Sequence, residues 1–264
     1  TGAIDRYVQL VNDVAKAARG FFTEKAMPPL MGKLAYPFMA SKFVKLADKT
    51  VWQVLSSLTD NKKLIGVLLG QYGDYGLPPK QASFAIHAMG AKHYFDGGCY
   101  PIGGSASFIN TIAPIIESSG GKILVRADVE EILIRGSKAI GVRLNDGDEI
   151  LAPMVISDAG IINTYSHLLN QEIQSQNSLA QKIQKTPASV GHACVYIGLK
   201  HGPKELGLEK PNYWIYPDYD HDNNVDRYLK DPQNSPLPVT YISFPAAKDP
   251  TWEINHPGIA TMEA

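Results

Sequence analysis

The chain has 264 residues, 44% of them hydrophobic, and 25 basic residues stand against 26 acidic ones. That length and composition suit a folded protein with one large core or two modest ones, and they exclude a chain disordered by composition. The balanced charge, with no basic cluster interleaved with aromatics, excludes the footprint of a nucleic-acid binder.

From residue 1 to about 90 the apolar residues keep helical spacing. Ile4, Tyr7, Val8, Val11, Val14, Ala15 and Ala18 define a first amphipathic helix. After Pro28-Pro29 a second carries Leu30, Leu34, Phe38, Phe43, Val44 and Leu46 among Lys33, Lys42, Lys45 and Lys49, with Pro37 interrupting it. Its uniformly basic side suits either solvent or an anionic membrane surface. Shorter helical pieces over 51–58 and 63–69 lead into a Gly/Pro turn region, and 80–90 is helix-compatible again.

After Gly97-Gly98 comes a Gly/Pro loop to Gly104. It opens a helix bearing Phe108, Ile112, Ile115 and Ile116, with Pro114 inside and Gly120-Gly121 as its stop. Three strands are predicted next, over 123–134, 140–144 and 149–156, joined by turns at Gly136-Ser137 and Asp146-Gly147. A short helix over 161–169, a polar helix over 179–185 and a strand over 190–199 follow. Two further strands are predicted over 213–216 and 239–244. Between them Asp218, Tyr219, Asp220, His221 and Asp222 read as a solvated turn and helix start; the run lacks the Gly and closing Glu of a calcium loop.

Cys99 and Cys194 have no His or Cys neighbours at metal-ligand spacing, so the pattern holds no metal site and no disulfide framework, and both read as buried thiols. No uncharged apolar run nears the roughly 18–20 residues needed to span a bilayer, and no signal-peptide pattern opens the chain. The expected location is therefore cytoplasmic or peripheral on a membrane. The chain begins without methionine on what reads as a helix, and both ends are expected to be internal to a longer protein.

Several segments, in this order, resemble the phytoene desaturase and amine oxidase flavoproteins. They are Gly97 to Gly104, Ser119-Gly120-Gly121, Asp128-Val129-Glu130-Glu131-Ile132 and Val155 to Gly160. Downstream, Asn163-Thr164-Tyr165, Asn212 to Tyr216 and Phe244-Pro245-Ala246-Ala247-Lys248-Asp249-Pro250-Thr251-Trp252 are similar to the retinol saturase and carotenoid isomerase family. The resemblance implies an FAD enzyme acting on an apolar polyene, retinol or a carotenoid. It saturates a C=C bond by hydride transfer from reduced flavin, with NAD(P)H as electron donor. A redox-neutral cis-trans isomerase and a non-catalytic lipid-binding or interaction module are the alternatives.

The Gly-x-Gly-x-x-Gly turn that holds the ADP part of FAD in the family is not in this sequence, and Gly103-Gly104 has no preceding strand to stand in for it. The chain by itself is therefore expected to be inactive and to retain no FAD. The resemblance assigns cofactor contacts to Pro101, Ile102, Gly103, Gly104 and Val129. Glycine admits close approach to a flat ring, and N–H groups opening a helix suit an electron-rich group; the same loop also reads as a plain helix-entry turn. Tyr100, just before it, is the candidate catalytic group. His93, Tyr94, Tyr213 and Tyr216 are candidate substrate contacts, because conjugated chains bind by surface burial; aromatics at such positions are also ordinary structural residues. His87 reads as a core residue.

The fold class expected is α+β. Residues 1–95 form the helical part of a substrate domain, 96–160 the middle part of an FAD-binding domain, and 161–264 a mixed sheet and helices of the substrate domain.

Overall fold

Tyr7, Val11, Val14 and Ala18 recur at one face of a long first helix, α1 (Gly2–Lys25), and all four are buried. This face is the centre of a helical core in a computed structural model that describes residues 2–176, 183, 185 and 191–264. Against it pack α3 (Ser41–Ala47) through Phe43, α4 (Val51–Leu58) through Val51, Val54 and Leu55, α5 (Lys62–Leu68) through Ile65, and α6 (Phe84–His93) through Phe84, Ala85, Ala88 and Ala91. The alanine face of α6 lets its backbone approach α1 closely. Thr50 starts α4 with a capping box: its hydroxyl accepts from Gln53 N–H while Gln53 Oε1 accepts from Thr50 N–H. The second helix (α2, Pro29–Met39) takes Pro37 inside it and breaks at Ala40.

Two compact units divide the chain by contact, the described parts of residues 1–107 with 189–264, and of 108–188. The loop over 97–104 thus belongs with the helical core, and the described residues over 161–188 belong with the hairpins.

In the second unit, most of α7 (Ala106–Ser118) precedes β1 (Val129–Arg135), β2 (Lys138–Leu144) and β3 (Glu149–Leu151), which pair antiparallel in the order β1-β2-β3. Gly120, with φ of +82°, stops α7, and both expected hairpin turns form. Two of these strands are shorter than the sequence predicts. Arg126 adopts φ of +56°, which breaks the extended run before β1. Pro153 offers no N–H to a ladder, and β3 ends two residues before it. The helix over 161–169 is an α turn at Ile161–Asn163 followed by a π turn at Thr164–Leu168. Most of the polar helix predicted over 179–185 lies outside the described residues, as does Val190.

In the first unit, β4 (Tyr196–Lys200) pairs with β7 (Ile259–Glu263), and β5 (Tyr213–Ile215) pairs with β6 (Thr240–Ile242), both antiparallel. The class is α+β. The C-terminal strands, expected as one mixed sheet, form two antiparallel ladders among the described residues. The β7 strand has no counterpart in the sequence reading.

Two expectations need correction. Cys99 and Cys194 are exposed, because both sit in irregular segments outside the core. The acidic run is a solvated turn and helix start only in part: Asp218 and Asp220 are exposed and Asp220 caps the helix His221–Lys230, but Asp222 is buried and accepts from Lys80 N–H at 3.0 Å.

His87 is a core residue, as expected. Its Nε2 lies 2.9 Å from Tyr7 Oη and its Nδ1 2.9 Å from Tyr75 Oη, so a neutral ring accepts from one phenol and donates to the other. Burial lowers its pKa from 6.5 to about 4. Above 6.5 both folded and unfolded states hold it neutral; below, only the unfolded state takes up the proton until the pH reaches about 4. Stability measured by denaturant midpoints is therefore expected to fall as pH drops through that window. His87→Gln should flatten this part of the profile, and an unchanged slope would contradict the assignment.

Candidate functional site

Built from its residues, the site begins at the loop leaving α6. Gly97, Gly103 and Gly104 take φ of +91°, +84° and +69°, so the chain turns where a side chain would be strained. Gly103 donates its N–H to the carboxylate of Asp249, and Gly104 donates its own to the carbonyl of Pro101 at 3.1 Å. The N–H groups that sequence reasoning reserved for an electron-rich ligand are thus engaged within the chain. What the loop does present is open space: a Cβ built at Gly103 meets nothing within 4 Å, and Ile102 is exposed.

Asp249 is buried, and its Oδ1 also accepts from the N–H and hydroxyl of Thr251 at 2.9 and 2.8 Å. These bonds, the Thr251 N–H first, hold its carboxyl below the usual range. Lys248, its neighbour, donates to Asn212 Oδ1 and Ser243 Oγ, and its Nζ stands 5.8 Å from the centroid of the Tyr100 ring. The Lys-Asp pair therefore grips the loop with one residue and the β5–β6 ladder with the other. Burial, with Asp249 and Glu263 nearby, holds the Tyr100 phenol above its ordinary pKa; burial pulls Lys248 below its own.

Aromatic rings continue away from this loop. Tyr94 bonds the Asp74 carboxylate and lies near Tyr241, whose ring meets Trp214 edge-on at 4.8 Å. Trp214, Tyr216, Pro217 and Tyr219, with Gly66, Val67 and Gly70, then line a cleft of about 540 Å³. Gly66 and Gly73 are glycine for steric reasons, since each packs directly against one of these aromatic residues. A Cβ at Gly66 would stand 2.7 Å from Tyr219 Cβ, and one at Gly73 would run into the Trp214 ring. Tyr216 Oη donates to the Gly70 carbonyl, and His221 Nε2 lies 2.9 Å from the Gly66 carbonyl.

Of the predicted residues, Tyr100 to Gly104, His93, Tyr94, Tyr213 and Tyr216 all fall in the first unit. Tyr94 and Tyr216 join the aromatic run. His93 meets the Tyr94 ring edge-on at the exposed end of α6, and Tyr213 turns its hydroxyl to Glu209 at 2.9 Å. Val129 opens β1 in the second unit, partly exposed, paired with Leu144. Sequence reasoning missed Asp249 as the loop's anchor, and it missed Trp214, Tyr241 and the glycines beside the aromatic run. The spacing of Gly66, Gly70 and Gly73, four and then three residues apart, was the available signal. No group of three or more metal-ligating side chains converges among the described residues.

Asp249→Ala is expected to raise hydrogen exchange of peptides over 97–104 by roughly tenfold or more, since a bond to a charged acceptor is lost. Asp249→Asn, which keeps an acceptor, should restore part of the protection. Unchanged exchange in the alanine variant would show that the loop is held otherwise.

No protein-family model matches the chain. It is 36% identical over 98% of its length to the all-trans-retinol 13,14-reductase of Danio rerio and 33% identical, again over 98%, to that of Homo sapiens. It is 27% identical over 67% of its length to the phytoene desaturase of Neurospora crassa, covering 30% of that protein. The chain spans 45% and 44% of the length of the two reductases, so it corresponds to under half of each. The loop, the Lys-Asp motif and the aromatic run all lie within a match of this extent, and the chain belongs to the all-trans-retinol 13,14-reductase family within the phytoene desaturase superfamily.

Proposed function

We propose that the protein carrying this chain is an FAD-dependent oxidoreductase that saturates a C=C bond of a conjugated polyene, retinol or a carotenoid. The observation that carries this reading is the aromatic run from Tyr94 through Tyr241 and Trp214 to Tyr216, in the same unit as an open glycine loop. A rigid conjugated chain binds by apolar contact along such a wall and needs few hydrogen bonds. The names of the reductase and desaturase relatives support the same substrate class.

Pro101, Ile102, Gly103 and Gly104 would lie against the flavin ring, and Val129 would approach its adenine end. FAD supplies hydride chemistry when bound, with NAD(P)H as the electron donor. The chain's own residues hold the polyene flat, exclude water and deliver a proton. Tyr100 is the proposed proton donor: its phenol is kept protonated by burial and by the carboxylates of Asp249 and Glu263.

Contact with a membrane would give access to such a substrate. Leu30, Leu34 and Phe38 on α2 are 73%, 71% and 88% exposed; Lys33 shares that helix and Lys42 and Lys45 follow on α3, with no acidic residue between Lys25 and Asp48. Exposed apolar side chains within a basic surround complement an anionic bilayer surface. Among the described residues no helix is long and apolar enough to cross a membrane.

Two tests follow. The full-length protein, loaded with FAD and given NAD(P)H and all-trans-retinol, should yield a product heavier by two hydrogens. A product of unchanged mass would establish the isomerase instead, and no product with either retinol or poly-cis-carotenoids would favour a binding module. Tyr100→Phe should lower turnover roughly 100-fold; unchanged turnover removes Tyr100 from the reaction. Separately, the protein should float with phosphatidylserine-containing vesicles more than with neutral ones, and Leu34→Glu with Phe38→Glu should abolish that. Equal flotation of the double variant would locate the contact elsewhere.

A further inference from the structure

The cleft that ends the aromatic run spends its polar groups within the chain. Tyr216 Oη donates to the Gly70 carbonyl, His221 Nε2 meets the Gly66 carbonyl at 2.9 Å, and His221 Nδ1 is fully buried. Asp218, the one carboxylate among the lining residues, accepts from Asp220 N–H at 2.8 Å and from Arg227 at 3.2 Å. What remains to face an occupant is hydrocarbon and ring: Val67 and Ile215, 66% and 51% exposed, with Trp214 and Tyr219.

The glycine loop, in the same unit, is bordered by the opposite chemistry. Asp249 accepts from Gly103 N–H, Lys248 stands over the Tyr100 ring, and Glu263 acts on the Tyr100 phenol through its charge. A short piece of strand joins the two regions. Tyr241, whose ring meets Trp214, and Ser243, whose hydroxyl accepts from Lys248, are two residues apart on one extended segment, on the same face and about 7 Å from each other. An elongated molecule lying along that segment meets polar groups at one end and apolar surface at the other. A polar end placed in the cleft would lose its water and gain no hydrogen bond from these groups, whereas a hydrocarbon end gains by leaving water.

We propose that the cleft is the seat of the cyclic hydrocarbon end of the polyene, with the alcohol end directed toward the glycine loop. This rests on the polyene reading above and adds the orientation of the substrate: the ring lies against Trp214 and Tyr219, and the double bond nearest the alcohol lies at the loop. The reductase relatives carry in their name the 13,14 bond of retinol, which is the double bond nearest its alcohol.

The test measures equilibrium binding to the full-length protein of two probes, all-trans-retinol and a straight-chain alcohol with the same conjugated chain and no ring. Val67 and Ile215 are exposed, so Val67→Trp and, separately, Ile215→Trp fill the cleft from its surface, and unaltered thermal midpoints confirm that the variants fold. In either variant retinol is expected to bind roughly tenfold more weakly, because the ring loses its apolar contact, while the ring-less alcohol stays within about twofold of its wild-type affinity. Retinol binding unchanged in both variants, or an equal loss for the two alcohols, overturns the proposal and leaves the polyene reading intact. Failure of the wild type to bind either alcohol overturns the two together.

Discussion

Trp214 can seat where it does only because residue 73 has no side chain. That contact, with Tyr219 over Gly66 and the Tyr216 hydroxyl on the Gly70 carbonyl, joins the helical N-terminal segment to strands some 150 residues later. Two further bonds reinforce it, from His221 to the Gly66 carbonyl and from Lys80 N–H to the buried Asp222. The aromatic wall of the cleft is thus part of the long-range packing of its unit. Close approach of backbone to ring replaces the interdigitating side chains found elsewhere in the core.

The second constraint is the Lys248-Asp249 dipeptide. A buried carboxylate collects three hydrogen bonds, one of them from Gly103, while the adjacent ammonium bonds Asn212 and Ser243 and faces the Tyr100 ring. Each charge has polar partners in place of water, which is the condition for holding it partly buried. The consequence is a glycine loop whose conformation is set from the C-terminal side of its unit. The N–H groups of Gly103 and Gly104 are occupied, and the outer surface at Ile102 and Gly103 is left free for contact.

Much of this was legible in the sequence where pattern and local chemistry agree. The i, i+4, i+7 spacing of Tyr7, Val11 and Val14 gave α1; Gly120 gave the end of α7; Gly136 and Gly147 gave the hairpin turns. The Phe244 to Trp252 motif pointed to the family, though it did not disclose that Asp249 reaches back to Gly103. Local pattern failed where a distant partner decides the outcome. Asp222 reads as a solvated acid until Lys80 is brought to it, and Ile259–Glu263 reads as nondescript until β4 supplies its ladder. Backbone exceptions such as the left-handed Arg126 have no periodic signature at all.

The central claim is that a polyene lies along the aromatic wall with its reacting bond at the glycine loop. A crystal structure of the full-length protein with FAD and a bound polyene tests it most directly. The account predicts continuous ligand density along Trp214, Tyr241 and Tyr94, ending where Ile102 and Gly103 border the flavin ring. Density elsewhere, with this wall bare or with the loop remote from the flavin, would contradict it.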